Sequence, residues 1–171
     1  LSSHSSKTEM FISVPSEIEP CFQTPTIISC NNSPLKNILD KQHITISPAG
    51  YKGVYVYGIC KFIKEQYNLQ NFIYSGASAG SWNALFMTCK KEIPYNDIID
   101  SCIIDSNNIF NLQKKIKTFL LSNFETKDFE LDKLFIGVTT FNGLSFTNTI
   151  YCNFCNLEDA IDCCIASSHI P

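Results

Sequence analysis

The pentapeptide GASAG at residues 76–80 decides the fold, because it places Ser78 between a short apolar run and a helix-prone segment. The run is FIY at residues 72–74, and the segment is SWNALFM at residues 81–87. A G-x-S-x-G pentapeptide between a strand and a helix is typical of a nucleophile elbow, a sharp turn that presents a serine hydroxyl at the end of a strand. The alternative is a small-residue turn in which Ser78 or Ser81 caps the helix.

The elements around the pentapeptide alternate between strand and helix. Residues 43–47, HITIS, alternate in polarity and are rich in β-branched side chains, which predicts a strand. Apolar residues recur at helical spacing from about residue 52 to residue 67, and residues 71–75 predict a second strand. The order β-α-β-α within little more than forty residues predicts an α/β protein with a parallel sheet.

Further elements are predicted after the elbow helix. Asn142-Gly143 is the preferred dipeptide of a two-residue hairpin turn, so the strand that follows it should run antiparallel to the strand before it. Asn156 is a predicted N-cap of the last helix. The predicted elements are helices at 95–105 and 109–124, strands at 134–140 and 144–151, and a final helix after residue 156.

Residues 1–42 are rich in Ser, Thr, Pro and Asn and show no sustained period. They predict an irregular N-terminal arm with a short helix near residues 35–39. The folded domain is expected to span residues 43–171.

Composition excludes some classes of function. The net charge is −3 and all basic side chains apart from histidine are lysines, so we expect no nucleic-acid partner. No apolar run is long enough to span a bilayer. The chain has nine cysteines, an odd number, several of them within apolar helical patterns. This pattern favours reduced, buried thiols and an intracellular, reducing compartment.

A second glycine-rich turn, SPAGYKG at residues 47–53, follows the first predicted strand. Turns of this kind present backbone N–H groups that can stabilise a developing oxyanion. In a parallel sheet the carboxyl ends of neighbouring strands meet at one edge, so this turn and the elbow are expected to lie together. The expected oxyanion donors are the N–H of Ala79 and those of Ala49, Gly50 or Tyr51.

The two turns together resemble those of the patatin-like phospholipases, the family of plant patatins and animal adiponutrin-type lipases. The family pairs a G-x-G-x-x-G turn, which ends here in Lys-Gly at Gly53, with an elbow whose glycines are here Gly76 and Gly80. The ending ASSHIP at residues 166–171 is similar to the segment that precedes the family's catalytic aspartate. The resemblance covers residues 43–171. It implies a three-layer α/β/α fold with a mostly parallel central sheet, incomplete at its C-terminus.

The resemblance also implies an activity. It implies a serine lipid acyl hydrolase of phospholipase A or lipase type, in which Ser78 attacks acyl esters of glycerolipids or phospholipids. No metal or organic cofactor is implied, and activity would be independent of calcium. The substrate would be met at a membrane or lipid-droplet surface, so we expect an intracellular, cytoplasmic protein with peripheral membrane association.

The sequence departs from the family pattern in two places. Pro48 stands where the family has the first glycine of the oxyanion turn, and proline has no N–H to donate. The family's base is an aspartate in Asp-Gly-Gly or Asp-Gly-Ala, and this chain contains no Asp-Gly pair. We expect the chain to be truncated, with the base beyond Pro171. The alternatives are an inactive domain that binds lipid or a partner, and an acyltransferase.

Three other groups of residues have possible roles in chemistry or binding. His169 could complete a Ser-Asp-His triad with Asp105, Asp128 or Asp132, although a structural role is expected for it and for His43. Four cysteines could form a zinc site, although adjacent ligands in one helix make tetrahedral closure difficult and buried thiols are expected. A lysine cluster on the helix at 109–124 is expected to be a solvated face, the alternative being contact with anionic lipid. The cysteines are Cys152, Cys155, Cys163 and Cys164, and the lysines are Lys114, Lys115 and Lys117.

Overall fold

A five-stranded sheet with helices packed against it forms the part of the chain that the computed structural model describes, residues 25–31, 38, 40–98 and 108–169. The strands are β1 (Thr26–Ser29), β2 (Gln42–Ile46), β3 (Phe72–Ala77), β4 (Leu134–Phe141) and β5 (Phe146–Cys152). The helices are α1 (Gly53–Gln66), α2 (Ala79–Thr88), α3 (Tyr95–Ile98), α4 (Ile109–Asn123) and α5 (Leu157–Ser168). The strand order is β1-β5-β4-β3-β2, which makes this an α/β protein with a mixed sheet.

The β-α-β-α order predicted around the elbow is confirmed by β2, α1, β3 and α2. Strands β2 and β3 are parallel, with Ile46 paired to Gly76, and β3 and β4 are parallel, with Ala77 paired to Gly137. Strand β5 returns antiparallel to β4, as predicted, and β1 lies parallel to β5. The carboxyl ends of β2, β3 and β4 therefore lie at one edge of the sheet, and Ser78 follows β3 at that edge.

The expectation of an irregular segment over residues 1–42 is wrong at Thr26–Ser29, which forms β1. Its partner β5 lies more than a hundred residues further along the chain, so local periodicity gave no signal of the pairing. The short helix expected near residues 35–39 falls outside the described residues, apart from Ile38. Of the helix expected at 95–105, Tyr95–Ile98 is described and helical, and the remainder lies outside the described residues.

The predicted two-residue hairpin turn is also wrong, because the loop between β4 and β5 contains four residues, 142–145. The Asn142 side-chain oxygen accepts hydrogen bonds from the N–H groups of Leu144 (3.0 Å) and Ser145 (2.9 Å). These bonds favour the wider loop, in which Phe141 pairs with Phe146. Strand β5 consequently begins at Phe146 rather than at Leu144.

Strand β4 contributes side chains to two hydrophobic clusters, one on each face of the sheet, among the described residues. Leu134, Ile136 and Val138 belong to the larger cluster, to which buried residues of α1, α2, α4 and α5 contribute. Phe135, which points to the opposite face because side chains alternate along a strand, packs in a smaller cluster with Ile73 and Cys152. The face that carries the larger cluster is thus the one against which the helices pack. Over the described ranges, no helix has both the length and the apolar character needed to cross a membrane.

Gly76 and Gly80 allow the backbone at the start of α2 to lie in direct contact with the backbone at the ends of β2 and β3. A Cβ at Gly76 would lie 2.2 Å from the carbonyl oxygen of Gly80, and a Cβ at Gly80 would lie 2.3 Å from that of Ile46. Both separations are far below van der Waals contact, and the obstructing atoms are backbone. Any side chain at either position would push α2 away from the ends of β2 and β3.

We expect Gly80→Ala to lower the free energy of unfolding by at least about 3 kcal/mol. The new methyl group would overlap the carbonyl oxygens of Ile46 and Ser47, which cannot move without displacing the end of β2. Gly58→Ala is the matched control, since Gly58 lies within α1 and a Cβ there has no atom within 4 Å. That control should raise stability by about 0.5–1 kcal/mol. Chemical denaturation measures both, and equal effects of the two substitutions would contradict the close approach.

Candidate active site

Ser78 lies at the turn between β3 and α2 in a backbone conformation that side chains rarely adopt. Its φ is 54° and its ψ is −131°, and Asn153 is the other non-glycine residue with a positive φ in the described ranges. Such a conformation costs about 1–3 kcal/mol and persists where the surrounding structure enforces it. The strand–turn–helix context predicted for this serine is therefore present, with strain located at the serine itself.

The Ser78 hydroxyl does not cap α2. Ser78 occupies the N-cap position, but its side chain makes no capping hydrogen bond. The Ser81 hydroxyl donates to the carbonyl oxygen of Ser78 at 2.6 Å, which also differs from a cap, since a capping oxygen accepts from N–H groups. The helix-capping alternative for these two serines is thus not what the structure contains.

Ser167, near the end of α5, holds the backbone of Ser78 in place. The Ser78 N–H donates to Ser167 Oγ at 2.8 Å, and Ser167 Oγ donates in turn to the carbonyl oxygen of Gly137 at 2.6 Å. One hydroxyl therefore joins the elbow, α5 and β4. This role was not predicted, because in the sequence Ser167 appeared only as part of the family-like ending.

Ser168, the next residue, is the centre of a buried hydrogen-bond network. Its hydroxyl accepts from Trp82 Nε1 (3.0 Å) and Gln113 Nε2 (2.9 Å) and donates to the carbonyl oxygen of Cys164 (2.7 Å). The network joins α2, α4 and α5 beneath the elbow. Nothing local in the sequence indicated this role, because Trp82 and Gln113 are more than fifty residues away from Ser168 along the chain.

The glycine-rich turn lies against the elbow, as expected. Residues Gly50–Lys52 form a 3-10 turn with Ala49 at its N-cap, and Gly50 has a φ of 52°. Asn83 Nδ2 donates to the carbonyl oxygens of Gly53 and Ala79, each at 3.1 Å. A Cβ at Gly53 would lie 2.8 Å from the Cβ of Ala79, so the end of the turn touches the first residue of α2.

This contact brings two helical N-termini together at the carboxyl edge of the sheet. The first N–H groups of a helical segment have no partner within it, and they carry the positive end of its dipole. The N–H of Ala79 opens α2, and those of Ala49, Gly50 and Tyr51 open the 3-10 turn. All four positions named from the sequence therefore belong to the two segments that meet here, and Pro48 contributes no N–H.

Two residues of the alternative triad, His169 and Asp128, have partners other than Ser78. The His169 ring contacts the Phe110 ring, with centroids 5.3 Å apart. The Asp128 carboxylate binds Lys91 Nζ at 2.8 Å and accepts from the N–H of Glu125 at 2.9 Å. Asp105 lies outside the described residues. Within the described ranges, no hydrogen bond joins His169 to Ser78.

His43 has the sheet role expected for it. It lies on β2, and its Nε2 is 2.9 Å from the hydroxyl oxygen of Ser75 on β3. The lysine cluster on α4 is only partly a solvated face, because Lys117 Nζ binds Asp162 (2.6 Å) and Glu158 (2.9 Å) on α5. These two carboxylates raise the pKa of Lys117, and the pairing joins α4 to α5.

The cysteines that the structure describes are for the most part buried or half-buried. No cluster of three or more potential ligands that could hold a metal is present in the residues that the structure describes. Cys152 and Cys164 are buried, Cys163 is half-buried and Cys155 is exposed. The expectation of buried thiols therefore holds for most of this group, with Cys155 as the exception. Cys21 and Cys102 fall outside the described ranges.

We expect iodoacetamide at pH 8 to alkylate Cys155 well before the buried thiols. Burial raises the pKa of Cys60 to about 11 and that of Cys163 to about 12, so their reactive thiolate forms are scarce at pH 8 and increase as pH rises. Burial raises the pKa of Cys164 as well. Peptide mapping of briefly alkylated, folded protein measures the order. Alkylation of Cys164 as fast as Cys155 would contradict the burial described here.

Comparison of the chain with protein-family models, with curated proteins and with solved structures finds no match.

Replacing Ser167 with alanine tests the support of the elbow. Ser167→Ala removes the partner of the Ser78 N–H and of the Gly137 carbonyl, which should cost about 1–3 kcal/mol of stability. It should also accelerate hydrogen exchange of the Ser78 amide at least tenfold relative to other α2 amides. Ser122→Ala, at an exposed position of α4, is the control and should change stability by less than about 0.5 kcal/mol. Unchanged exchange at Ser78 would contradict the role given to Ser167.

Proposed function

We propose that this chain carries the nucleophile and the oxyanion turn of a patatin-like serine lipid acyl hydrolase that cleaves acyl esters of glycerolipids or phospholipids. One observation carries the proposal. Ser78 is held at φ 54° and ψ −131° between a parallel strand and the helix that follows it, and its hydroxyl is not used as a helix cap. A strained serine with an uncommitted hydroxyl at the edge of an α/β sheet is what a nucleophile elbow requires.

The reaction would proceed through an acyl-serine intermediate. Ser78 Oγ attacks the ester carbonyl carbon while a base takes the hydroxyl proton, and the carbonyl oxygen becomes the tetrahedral oxyanion. Donors for that oxyanion would be the N–H of Ala79 and the N–H groups at the start of the 3-10 turn, Ala49, Gly50 and Tyr51. Collapse expels the lysolipid or glycerol oxygen, which takes the proton from the base. Water then attacks the acyl-serine and gives up a proton to the same base. Collapse breaks the bond to Ser78 Oγ, which takes that proton back from the base, and the fatty acid is released.

The base belongs to the proposal as well. We place it at an aspartate beyond Pro171, as the family pattern implies. Ser78 and Ser167 already share a hydrogen bond, so the chain that leaves α5 starts close to the elbow. An aspartate a few residues beyond Pro171 could therefore contact Ser78 without a long connecting loop.

Two finer structural features complete the proposal. The smaller cluster of Ile73, Phe135 and Cys152, on the face opposite the main core, would receive the third layer of an α/β/α fold. Thr26–Ser29 would add β1 to the sheet edge from the segment before residue 43, and residues 43–171 would form the N-terminal part of the catalytic domain. Peripheral membrane association would go with the lipid substrate, and the proposed intracellular location rests on the reduced thiols that the cysteine pattern predicts.

A non-catalytic lipid- or partner-binding domain is the second candidate, and Pro48 is the observation that favours it. Proline removes one N–H from the turn that would hold the oxyanion, and a missing donor typically costs two to three orders of magnitude in rate. The remaining donors at Ala49, Gly50 and Tyr51 decide whether the turn still functions. An acyltransferase differs from the hydrolase only in the acceptor of the acyl group.

We expect Ser78→Ala to reduce ester hydrolysis about a thousandfold or more, because the substitution removes the oxygen that would form the acyl-enzyme. The protein is expressed with the residues that follow Pro171 in its reading frame and assayed with a soluble short-chain ester and with phosphatidylcholine. Ser122→Ala is again the control and should leave the rate unchanged, since Ser122 is exposed on α4. Adding lysophosphatidylcholine or glycerol to the assay shows whether an alcohol competes with water for the acyl group.

Three results would count against the hydrolase. Hydrolysis that survives in Ser78→Ala would assign the chemistry to another residue. No hydrolysis by folded wild-type protein would favour the non-catalytic domain. Transfer to the added alcohol faster than to water would make the protein an acyltransferase.

A further inference from the structure

The tip of the β4–β5 hairpin exposes large apolar side chains that the fold does not use. Leu144 in the four-residue loop is 96% exposed, and the flanking Phe141 and Phe146 are 61% and 68% exposed. The two phenylalanine rings lie against each other, with centroids 4.8 Å apart, and form the base of the tip. We call Phe141, Leu144 and Phe146 the hairpin tip.

The hairpin tip projects past the edge of the sheet where Ser78 lies. Ala77 of β3 pairs with Gly137 of β4, and β4 continues for four more residues to Phe141. With a rise of about 3.3 Å per residue, Phe141 lies roughly 13 Å beyond Ala77 along the strand direction. Ser78 follows Ala77 in the same direction, because β3 and β4 are parallel. The hairpin tip and Ser78 are therefore on the same side of the protein.

The whole hairpin lacks charge. Residues 134–157 contain no Lys, Arg, His, Asp or Glu. Exposed strands and hairpins in water-facing proteins usually carry charged side chains that prevent association, and none is present here. The polar residues beside the tip are neutral Thr, Asn and Ser side chains, which can hydrogen-bond to headgroups without requiring a particular charge.

We infer that the hairpin tip inserts into a lipid surface with zwitterionic or uncharged headgroups and thereby places Ser78 at that surface. The part of this inference that concerns delivery of substrate rests on the function proposed above. A convex tip of three side chains fits insertion between acyl chains. It is too small to supply the roughly 800 Å² per partner that a stable protein interface buries. Apolar side chains that insert individually into the interface need no complementary pocket.

Tyr51 and Tyr55 extend the same face on the other side of the elbow. Both are largely exposed, Tyr51 in the 3-10 turn that follows β2 and Tyr55 in the first turn of α1. Tyrosine is enriched at membrane–water interfaces because its ring is apolar and its hydroxyl is polar. The carboxyl edge of the sheet thus presents apolar or amphipathic side chains at both β2 and β4, with Ser78 following the strand between them.

Flotation with phosphatidylcholine vesicles tests the inference without requiring catalysis. Wild-type protein should float with the vesicles equally at low and high salt, because no charge is involved. Leu144→Asp should lower the bound fraction at least fivefold. Because the Leu144 side chain is almost fully exposed, the substitution should not unfold the protein. Leu121→Asp, at an exposed leucine of α4, is the matched control and should change binding less than twofold.

A spectroscopic variant gives a second readout. Leu144→Trp should show a blue shift of tryptophan emission when vesicles are added, while the buried Trp82 contributes a constant background. In hydrolysis assays, Leu144→Asp should keep the wild-type rate on a soluble ester and lose rate on vesicles in proportion to its lost binding. If no variant hydrolyses any ester but the flotation difference persists, the proposed function fails and the lipid contact stands.

Three outcomes would overturn the lipid contact. The first is wild-type protein that does not float, and the second is Leu144→Asp that floats as well as wild type. The third is self-association of wild-type protein that Leu144→Asp abolishes in the absence of vesicle binding. That result would assign the hairpin tip to an interface with a second copy of the chain.

Discussion

The structure depends on the backbone-to-backbone approach of α2 to the ends of β2 and β3. Gly80 leaves no room for a side chain beside the carbonyl oxygens of Ile46 and Ser47, and Gly76 leaves none beside Gly80. Because α2 is drawn this close, the single residue that joins it to β3 must turn sharply, and that residue is Ser78. The strain at Ser78 is thus a consequence of packing that the two glycines permit.

Both ends of α2 are held by contacts from distant parts of the chain. At its start, Ser167 accepts from the Ser78 N–H, while Asn83 joins the helix to the glycine-rich turn. At its end, Lys64 Nζ donates to the carbonyl oxygens of Phe86 and Cys89, where a cation also complements the helix dipole. Burial lowers the pKa of Lys64, so this contact is made at an energetic cost that the carbonyl partners offset. A helix fixed at both ends can keep a strained residue at its N-cap.

Local pattern predicted the parts of the fold that depend on neighbours in sequence. The β-α-β-α unit, the antiparallel return of β5 and the Asn156 cap, which accepts from the Asp159 N–H, all follow from short-range signals. Strand β1 was missed because its pairing with β5 is non-local, and the hairpin loop was misjudged because the Asn142 side chain stabilises a wider turn. At the candidate site, the spacing of the glycines in GASAG and SPAGYKG predicted the position of Ser78 and of the two turns. The hydroxyls of Ser167 and Ser168 could not, since nothing local marks a serine as a bridge between distant elements.

The central claim is that Ser78 is a nucleophile, and covalent labelling tests it most directly. Folded protein, including any residues that its reading frame encodes after Pro171, is treated with a fluorophosphonate, digested and mapped by mass spectrometry. We predict a single phosphonylated residue, Ser78, with no adduct after prior denaturation, because reactivity depends on the folded elbow. An adduct on another serine, or none on the folded protein, would contradict the account.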